Sequence, residues 1–210
     1  MPKLGMRPIR RRQLVDAAIE TVGEMGFAQA PVSRIAARAG VSPGIVHHYF
    51  KDKNDLLEAA MRDMLEQLRQ GVVRRLRQAR TPEQRLDAII DGNFASEQFD
   101  RSAIAAWLAF WAEAPHNPAL ARLRRINASR LHSNLRHAVR PLFPEEDPDE
   151  LASVLAATID GLWLNAALSP NETDRGKLAD SAKAFAKRLA DRAEKDDAND
   201  PKGGAFAWQA

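Results

Sequence analysis

At four places along this 210-residue chain a short polar side chain followed by proline introduces a run of helical spacing: Ser42-Pro43, Thr81-Pro82, Asn117-Pro118 and Asp147-Pro148. Each pair is a helix start. The polar oxygen can accept from an orphan N–H of the first turn, and proline there gives up an N–H that has no partner anyway. Thr81-Pro82-Glu83-Gln84 and Asp147-Pro148-Asp149-Glu150 add an amide or acid three residues on, the form of a capping box. Such punctuation confines the chain to a series of separate helices. Composition agrees: alanine and leucine supply 37 and 21 residues, against 22 for valine, isoleucine and threonine together. That leaves little β-branched material for a sheet. The expected fold class is all-α.

The periodicity predicts about nine helices, small ones first and longer ones after. Val15, Ala18, Ile19, Val22 and Met25 recur at helical spacing over Ile9–Met25, and Gly26 is placed to close that helix. Ser33 is the expected N-cap of a short run to Ala39, which Gly40 breaks. Ser42 caps the next, running to Phe50. Asp52 or Lys53 opens a long helix with Leu57, Met61, Met64 and Leu68 on one face. Helices then follow Thr81, Asp100 or Ser102 (ended by Pro115), Asn117 and Asp147, and a last one spans 174–194. From Lys195 to Ala210 the chain is charged and then Gly-rich, the composition of a disordered tail.

Several classes drop out. Without cysteine there is no disulfide scaffold and no thiolate metal site. No apolar run approaches the ~20 residues of a membrane span, the longest being Ala103–Ala112. The basic opening segment has no apolar stretch behind it and does not read as a secretory signal. The expected location is the cytoplasm, with no membrane partner.

Charge is unevenly spread. Residues 1–55 carry nine Lys/Arg against five Asp/Glu, while the remainder carries 22 against 23. A basic first quarter on a near-neutral body points to an anionic partner for that quarter. Ser33 to Phe50 reads S-R-I-A-A-R-A-G-V-S-P-G-I-V-H-H-Y-F: two short helices around Gly40, the form of a helix-turn-helix. Ile35, Ala36, Ala39, Val41 and Val46 would face the core. His47, His48 and Tyr49 would lie on the polar surface of the second helix, where Gly44 allows close backbone approach. Lys53, at the next helix start, combines a cation with backbone N–H groups, a phosphate-binding arrangement.

The longer pattern G-V-S-P-G-I-V-H-H-Y-F-K-D-K-N-D-L-L resembles the DNA-binding domain of the TetR family of repressors, over about residues 8–68. The resemblance implies a homodimer that sets its third helix in the major groove of a palindromic operator in double-stranded DNA. It implies phosphate contacts from Ser33, Tyr49 and Lys53, and base-edge positions at Pro43, Gly44, His47 and His48. Arg34 and Ser42 complete the expected face. His47 stands where members often carry tyrosine, and Tyr49 has an alternative role, packing beneath the reading helix.

Further segments, P-K-L-G-M-R-P-I-R-R-R-Q-L, A-W-L-A-F-W-A, R-L-H-S-N-L and I-D-G-L-W-L-N-A-A-L-S, resemble the choline-sensing branch of that family, repressors of glycine-betaine synthesis. That resemblance implies an effector-binding and dimerisation domain over 69–194, dimerising through its last two helices, and choline as effector. It implies no cofactor and no metal. Ala95, after Gly92-Asn93-Phe94, departs from it, since aspartate is expected there.

The residues themselves offer an effector site. A quaternary ammonium has no N–H to donate, so proteins hold it on aromatic faces, at roughly 0.5–2 kcal/mol per contact. Phe94, Trp107, Phe110, Trp111 and Trp163 are candidates, with Asp160, Glu113, Asp91 or Glu97 as counter-charge. The plain alternative is that these rings are core. A TetR-type repressor for another cationic or apolar ligand is the second reading. A helical-bundle enzyme is the third, but the sequence shows no placeable Ser–His–Asp set and no Gly-rich phosphate loop. His116, His132 and His137 lack metal-ligand spacing.

Overall fold

The computed structural model of the chain describes residues 6–96, 99, 101–169 and 174–199. Among these there are nine α-helices and no strand: α1 (Met6–Met25), α2 (Val32–Arg38), α3 (Pro43–Tyr49), α4 (Lys53–Leu76), α5 (Pro82–Asn93), α6 (Arg101–Glu113), α7 (Pro118–Val139), α8 (Pro148–Leu168) and α9 (Arg175–Asn199).

The caps explain most boundaries. Asp52 accepts from the Asp55 N–H at 2.9 Å, Thr81 from Gln84 at 3.3 Å, and Asn117 from both Ala119 and Leu120. Gln84 reaches back in turn, but to the Arg80 N–H at 2.8 Å, one residue before the cap. Asp147 caps α8 through the Asp149 N–H, and Asp174 takes the Gly176 N–H at the start of α9. Gly26 and Gly40 have φ of 78° and 67°, the left-handed conformation that ends α1 and α2. After α2 the Val41 N–H bonds the Ala36 carbonyl and the Gly40 N–H bonds Ala37, the paired bonds of a Schellman motif.

Four expectations are corrected. Ser33 is not the cap of α2. Extended Pro31 holds that position, its carbonyl accepting from Arg34 and Ile35, so Ser33 lies in the first turn. Ser42 is the N-cap residue of α3 by backbone, but its side chain makes no capping bond. The domain boundary expected between residues 68 and 69 falls inside α4, which continues to Leu76 because nothing in between breaks the helix. Of the tail expected from Lys195, residues 195–199 belong to α9, which continues to Asn199. Residues 200–210, like Asp100, lie outside the described residues.

Helix α4 is the structural link. Its first turns close a small core with α1, α2 and α3 (Leu14, Ile35, Val46, Phe50, Leu57 and Met61, all buried), and its later turns pack on α5 and α7. Each such side chain contributes roughly 1.5–3 kcal/mol by leaving water. A second link joins α1 to α6 at closest approach: a Cβ on Gly23 would stand 2.7 Å from the Ser102 carbonyl oxygen. The head formed by α1–α3 is therefore clamped to the bundle through both α4 and α6.

Helix α8 is long and apolar enough to span a membrane by length and composition, with a mean hydropathy of 1.5 over its best window. Counting only uninterrupted apolar runs missed this. Asp160 and Asn165 interrupt it, and it packs on α7 and α9. A face made of Val154, Ala157, Gly161, Leu164 and Leu168 is left exposed.

Candidate functional site

Two separate places answer to the sequence expectations. The first is the outer surface of the head. With Ile35, Ala36 and Val46 turned inward, Ser33, Arg34, Ser42, Pro43, Gly44, His47 and His48 are all exposed. The buried side chains set this outward face. Gly44 has open space around it: an added Cβ would find only the Ser42 hydroxyl, at 4.0 Å. Ile45, which the sequence reading passed over, is 41% exposed beside them. Its signal was present, since Val46 facing inward turns its neighbour out. An apolar side chain there suits the methyl group of thymine. Tyr49 is half-buried against the head core and edge-on to His48, with ring centroids 5.4 Å apart.

The basic residues of the head divide by partner. Arg38 bridges Glu20 and Glu24, and its hydrogen bond holds the Glu24 carboxyl below the usual range. Arg12 is taken by Asp16 and Asp63. Arg11 lies over the Phe50 ring at 5.0 Å. Arg34 forms no salt bridge among the described residues and stays available to an outside anion. Lys53 is half-buried: its Nζ donates to the Ala28 carbonyl at 3.0 Å and lies 5.8 Å from the Phe27 ring centre. An ammonium has three N–H donors, so that bond fixes its position and leaves others to offer. The expected cradle of N–H groups is narrower, because Asp55 N–H is capped by Asp52 and Lys51 N–H by the Asp55 carboxylate.

The second place is inside the bundle. Trp107 and Trp111 of α6 have ring centroids 6.2 Å apart, and Trp111 meets Trp163 of α8 edge to face at 4.8 Å. Trp163 continues to Phe99 at 6.0 Å, and Phe99 stacks on Phe94 at 6.2 Å. Five rings from three parts of the chain thus form one train. Phe99 was not anticipated, since it sits outside any helical repeat. Trp107, Trp111 and Trp163 line a cavity of about 40 Å³ with Leu68, Asn93, Asn127, Ile159 and Asp160. That is room for a few water molecules.

Phe110 does not belong to this group. It is fully buried and meets Phe27 edge to face at 6.0 Å, on the side of α6 turned toward the head. Phe110 and Trp111 flank Trp107 on the helix, about 60° to one side and about 40° to the other, and the neighbours on each side decide where they pack. Asp160 is exposed at the rim, yet enough protein crowds it to push its carboxyl above the ordinary value, against the opposing pull of Arg124. Asp91 is bound to Lys183 of α9 at 2.6 Å, and Glu113 is absent from the cavity lining. Glu97 lies outside the described residues.

One cluster tests the enzyme alternative. Ser153, His132 and Asp149 come together where α7 meets the start of α8, a set the sequence had not placed. Ser153 Oγ and the Asp149 carboxylate both approach the same nitrogen, Nε2, at 3.3 and 3.9 Å, and Ser153 already donates to the Asp149 carbonyl at 2.8 Å. A nucleophile relay needs the two partners on opposite ring nitrogens. Arg136 also binds Asp149 at 2.9 Å, so the cluster fastens α7 to α8. Among the described residues no group of three or more His, Asp or Glu could hold a metal.

The comparisons with known proteins agree with this division. Residues 14–60 match the family model for bacterial regulatory proteins of the tetR family, and residues 82–191 match that of the BetI-type transcriptional repressor C-terminal region. The HTH-type transcriptional regulator BetI of Klebsiella pneumoniae (strain 342) is 52% identical over 177 residues, 83% of this chain and 91% of that protein. The regulator of the same name from Escherichia coli (strain K12) is 50% identical over 187 residues, covering 88% and 96%. Among solved structures, a putative transcriptional regulator from Pseudomonas aeruginosa PAO1 superposes with a TM-score of 0.74 at 26% identity, covering 90% of this chain and 93% of that one. A putative regulator from Saccharomonospora viridis, in complex with choline, gives 0.75 at 23% identity over 84% and 95%, a likeness of fold. An outward-facing helix-turn-helix head clamped to a helical bundle, with matching family models across both parts, places this chain in the TetR family as a BetI-type transcriptional repressor, a DNA-binding regulator and not an enzyme.

Proposed function

We propose that the chain represses the genes for glycine-betaine synthesis from choline, acting in the cytoplasm as a homodimer that choline or a related quaternary ammonium releases from its operator. The carrying observation is the meeting of Trp107, Trp111 and Trp163 around one cavity with the Asp160 carboxyl at its rim. Ring faces supply the attraction, a carboxylate the counter-charge, and no metal or cofactor is needed. In this reading the head, with the first turns of α4, binds DNA, and the bundle helices after it bind effector and partner. The choline found in the Saccharomonospora viridis neighbour, and the BetI name of the relatives, support the choice of ligand.

The cavity is narrow, and its rings touch one another. In this reading a bound cation parts Trp111 from Trp163 and so moves α6. That helix carries Phe110 on its other side, against Phe27, whose ring lies beneath Lys53. The displacement therefore reaches the head. A coupling of about 1–3 kcal/mol suffices to change operator occupancy usefully, because the two reading helices of a dimer must keep the ~34–36 Å spacing of successive major grooves.

The exposed apolar face of α8, with α9 beside it, is the dimer surface in this reading. Sedimentation is expected to give a dimer at micromolar concentration, and a monomer there would refute it. For the effector, the test is a mobility shift on operator DNA across a choline titration, with Trp107→Leu and Trp111→Leu beside wild type and melting curves for each. A cage predicts release shifted to at least about tenfold higher choline, since ~1.4 kcal/mol is a factor of ten, with DNA binding retained. Unshifted midpoints with lowered melting temperatures would make the rings plain core and leave the ligand to another cationic or apolar molecule.

A further inference from the structure

The aromatic cavity is not isolated. Leu68, Asn93 and Asn127 line both it and a larger cavity of about 220 Å³ between α4, α5 and α7. The two asparagines therefore stand between the place where rings would hold a quaternary ammonium and the space into which the rest of such a ligand would extend.

Asn93, the last residue of α5, has a defined orientation. Its Nδ2 donates to the Ile89 carbonyl one turn back, at 2.8 Å. The reversed amide would set two carbonyl oxygens against each other, so this bond decides which way the group points. Oδ1 then has no donor among the described residues, and it is an acceptor only. The group on a ligand that completes it is a hydroxyl. A carboxylate brings only acceptors, and a methyl leaves Oδ1 half-buried and unpaired.

We propose that Asn93 sets the ligand class: Oδ1 accepts a hydrogen bond from the hydroxyl of a quaternary ammonium alcohol, and so favours that alcohol over its alkyl and carboxylate counterparts. The inference rests on the reading of the aromatic cavity given above. One feature opposes it. Arg69 and Arg130 also line the outer cavity. Arg69 is held by Glu66, whose carboxyl it pulls down to about 2 with help from Gln70, whereas Arg130 adds only a longer-range pull on the same carboxylate, has no ion pair among the described residues, and would attract a carboxylate arm that reached it.

The experiment uses the full chain, with tryptophan fluorescence for binding and operator release for response. The probes are choline, propyltrimethylammonium (a methyl in place of the hydroxyl) and glycine betaine. Wild type should bind choline about tenfold more tightly than propyltrimethylammonium, the effect of leaving an acceptor unpaired, and glycine betaine more weakly than choline. Asn93→Leu should bring choline to the propyltrimethylammonium midpoint while moving the latter less than about twofold. Equal binding of choline and propyltrimethylammonium by wild type overturns the inference without touching the cavity reading, and does not depend on the variant folding. A choline preference that persists in Asn93→Leu overturns it too. So does glycine betaine binding as tightly as choline and losing that affinity in Arg130→Gln. If none of the three probes perturbs the tryptophans or the operator complex, the cavity reading fails and takes this inference with it.

Discussion

The head exposes its candidate side chains, whereas the bundle buries most of its own. In the head, Arg34, Gly44, Ile45, His47 and His48 are exposed, and the buried residues between them only set their direction. In the bundle, Phe94, Trp107 and Trp163 are buried and hold the helices together as they would hold a ligand. Reading DNA requires groups that folding leaves unused. Sensing a small cation requires groups whose packing the cation can replace, so that binding changes the fold. Stability and function should therefore separate in the head and remain joined in the bundle.

The largest expected effect lies where bundle packing supports no ligand. Phe110→Ala empties a fully buried site and removes the ring against Phe27, and should lower unfolding free energy by about 3–5 kcal/mol in denaturant titration. Folded protein that survives should still respond to choline at the wild-type midpoint, though with weaker release. A loss below about 1 kcal/mol would mean that α6 is not clamped to the head as described.

A pair of glycines separates the two regions more directly. Gly23→Ala sets a Cβ 2.7 Å from the Ser102 carbonyl, and α1 must part from α6 at a cost of about 1–3 kcal/mol. Gly44→Ala meets open space, so melting should be unchanged or slightly raised, while operator affinity falls because the methyl stands where the helix approaches DNA. Unchanged operator binding in Gly44→Ala, measured by mobility shift, would remove this glycine from the contact face.

The smallest effect belongs to Lys53, which has a foot in both regimes. Lys53→Ala should flatten the salt dependence of operator binding by about one unit of slope. It should also cost about 1 kcal/mol of stability through the lost bond to Ala28. Lower melting with an unaltered slope would assign the side chain to fastening α4 alone.

What could be read beforehand follows the range of the interactions. Helix starts at Asp52, Thr81, Asn117 and Asp147 were legible because a cap and the N–H it satisfies lie within four residues. So were the left-handed stops at Gly26 and Gly40, and the outward face of α3. Ser33 was misread because Pro31 supplies an equally local start two residues earlier, and a serine in a first turn looks the same in sequence as one at a cap. Ile45 was legible in principle from the inward turn of Val46.

The bundle site was legible only as a list of aromatic residues. By itself the sequence determined nine helices, their phases and the outward face of α3, since backbone hydrogen bonds, caps and a 3.6-residue period are set by near neighbours. Only the tertiary structure decided that Trp107 and Trp111 meet Trp163 while Phe110 turns to Phe27, that Phe99 joins the train, and that Asn93 stands between two cavities. Those outcomes depend on which helices lie on either side of α6 and α5, and that is settled by the packing of distant segments, which a local pattern does not encode.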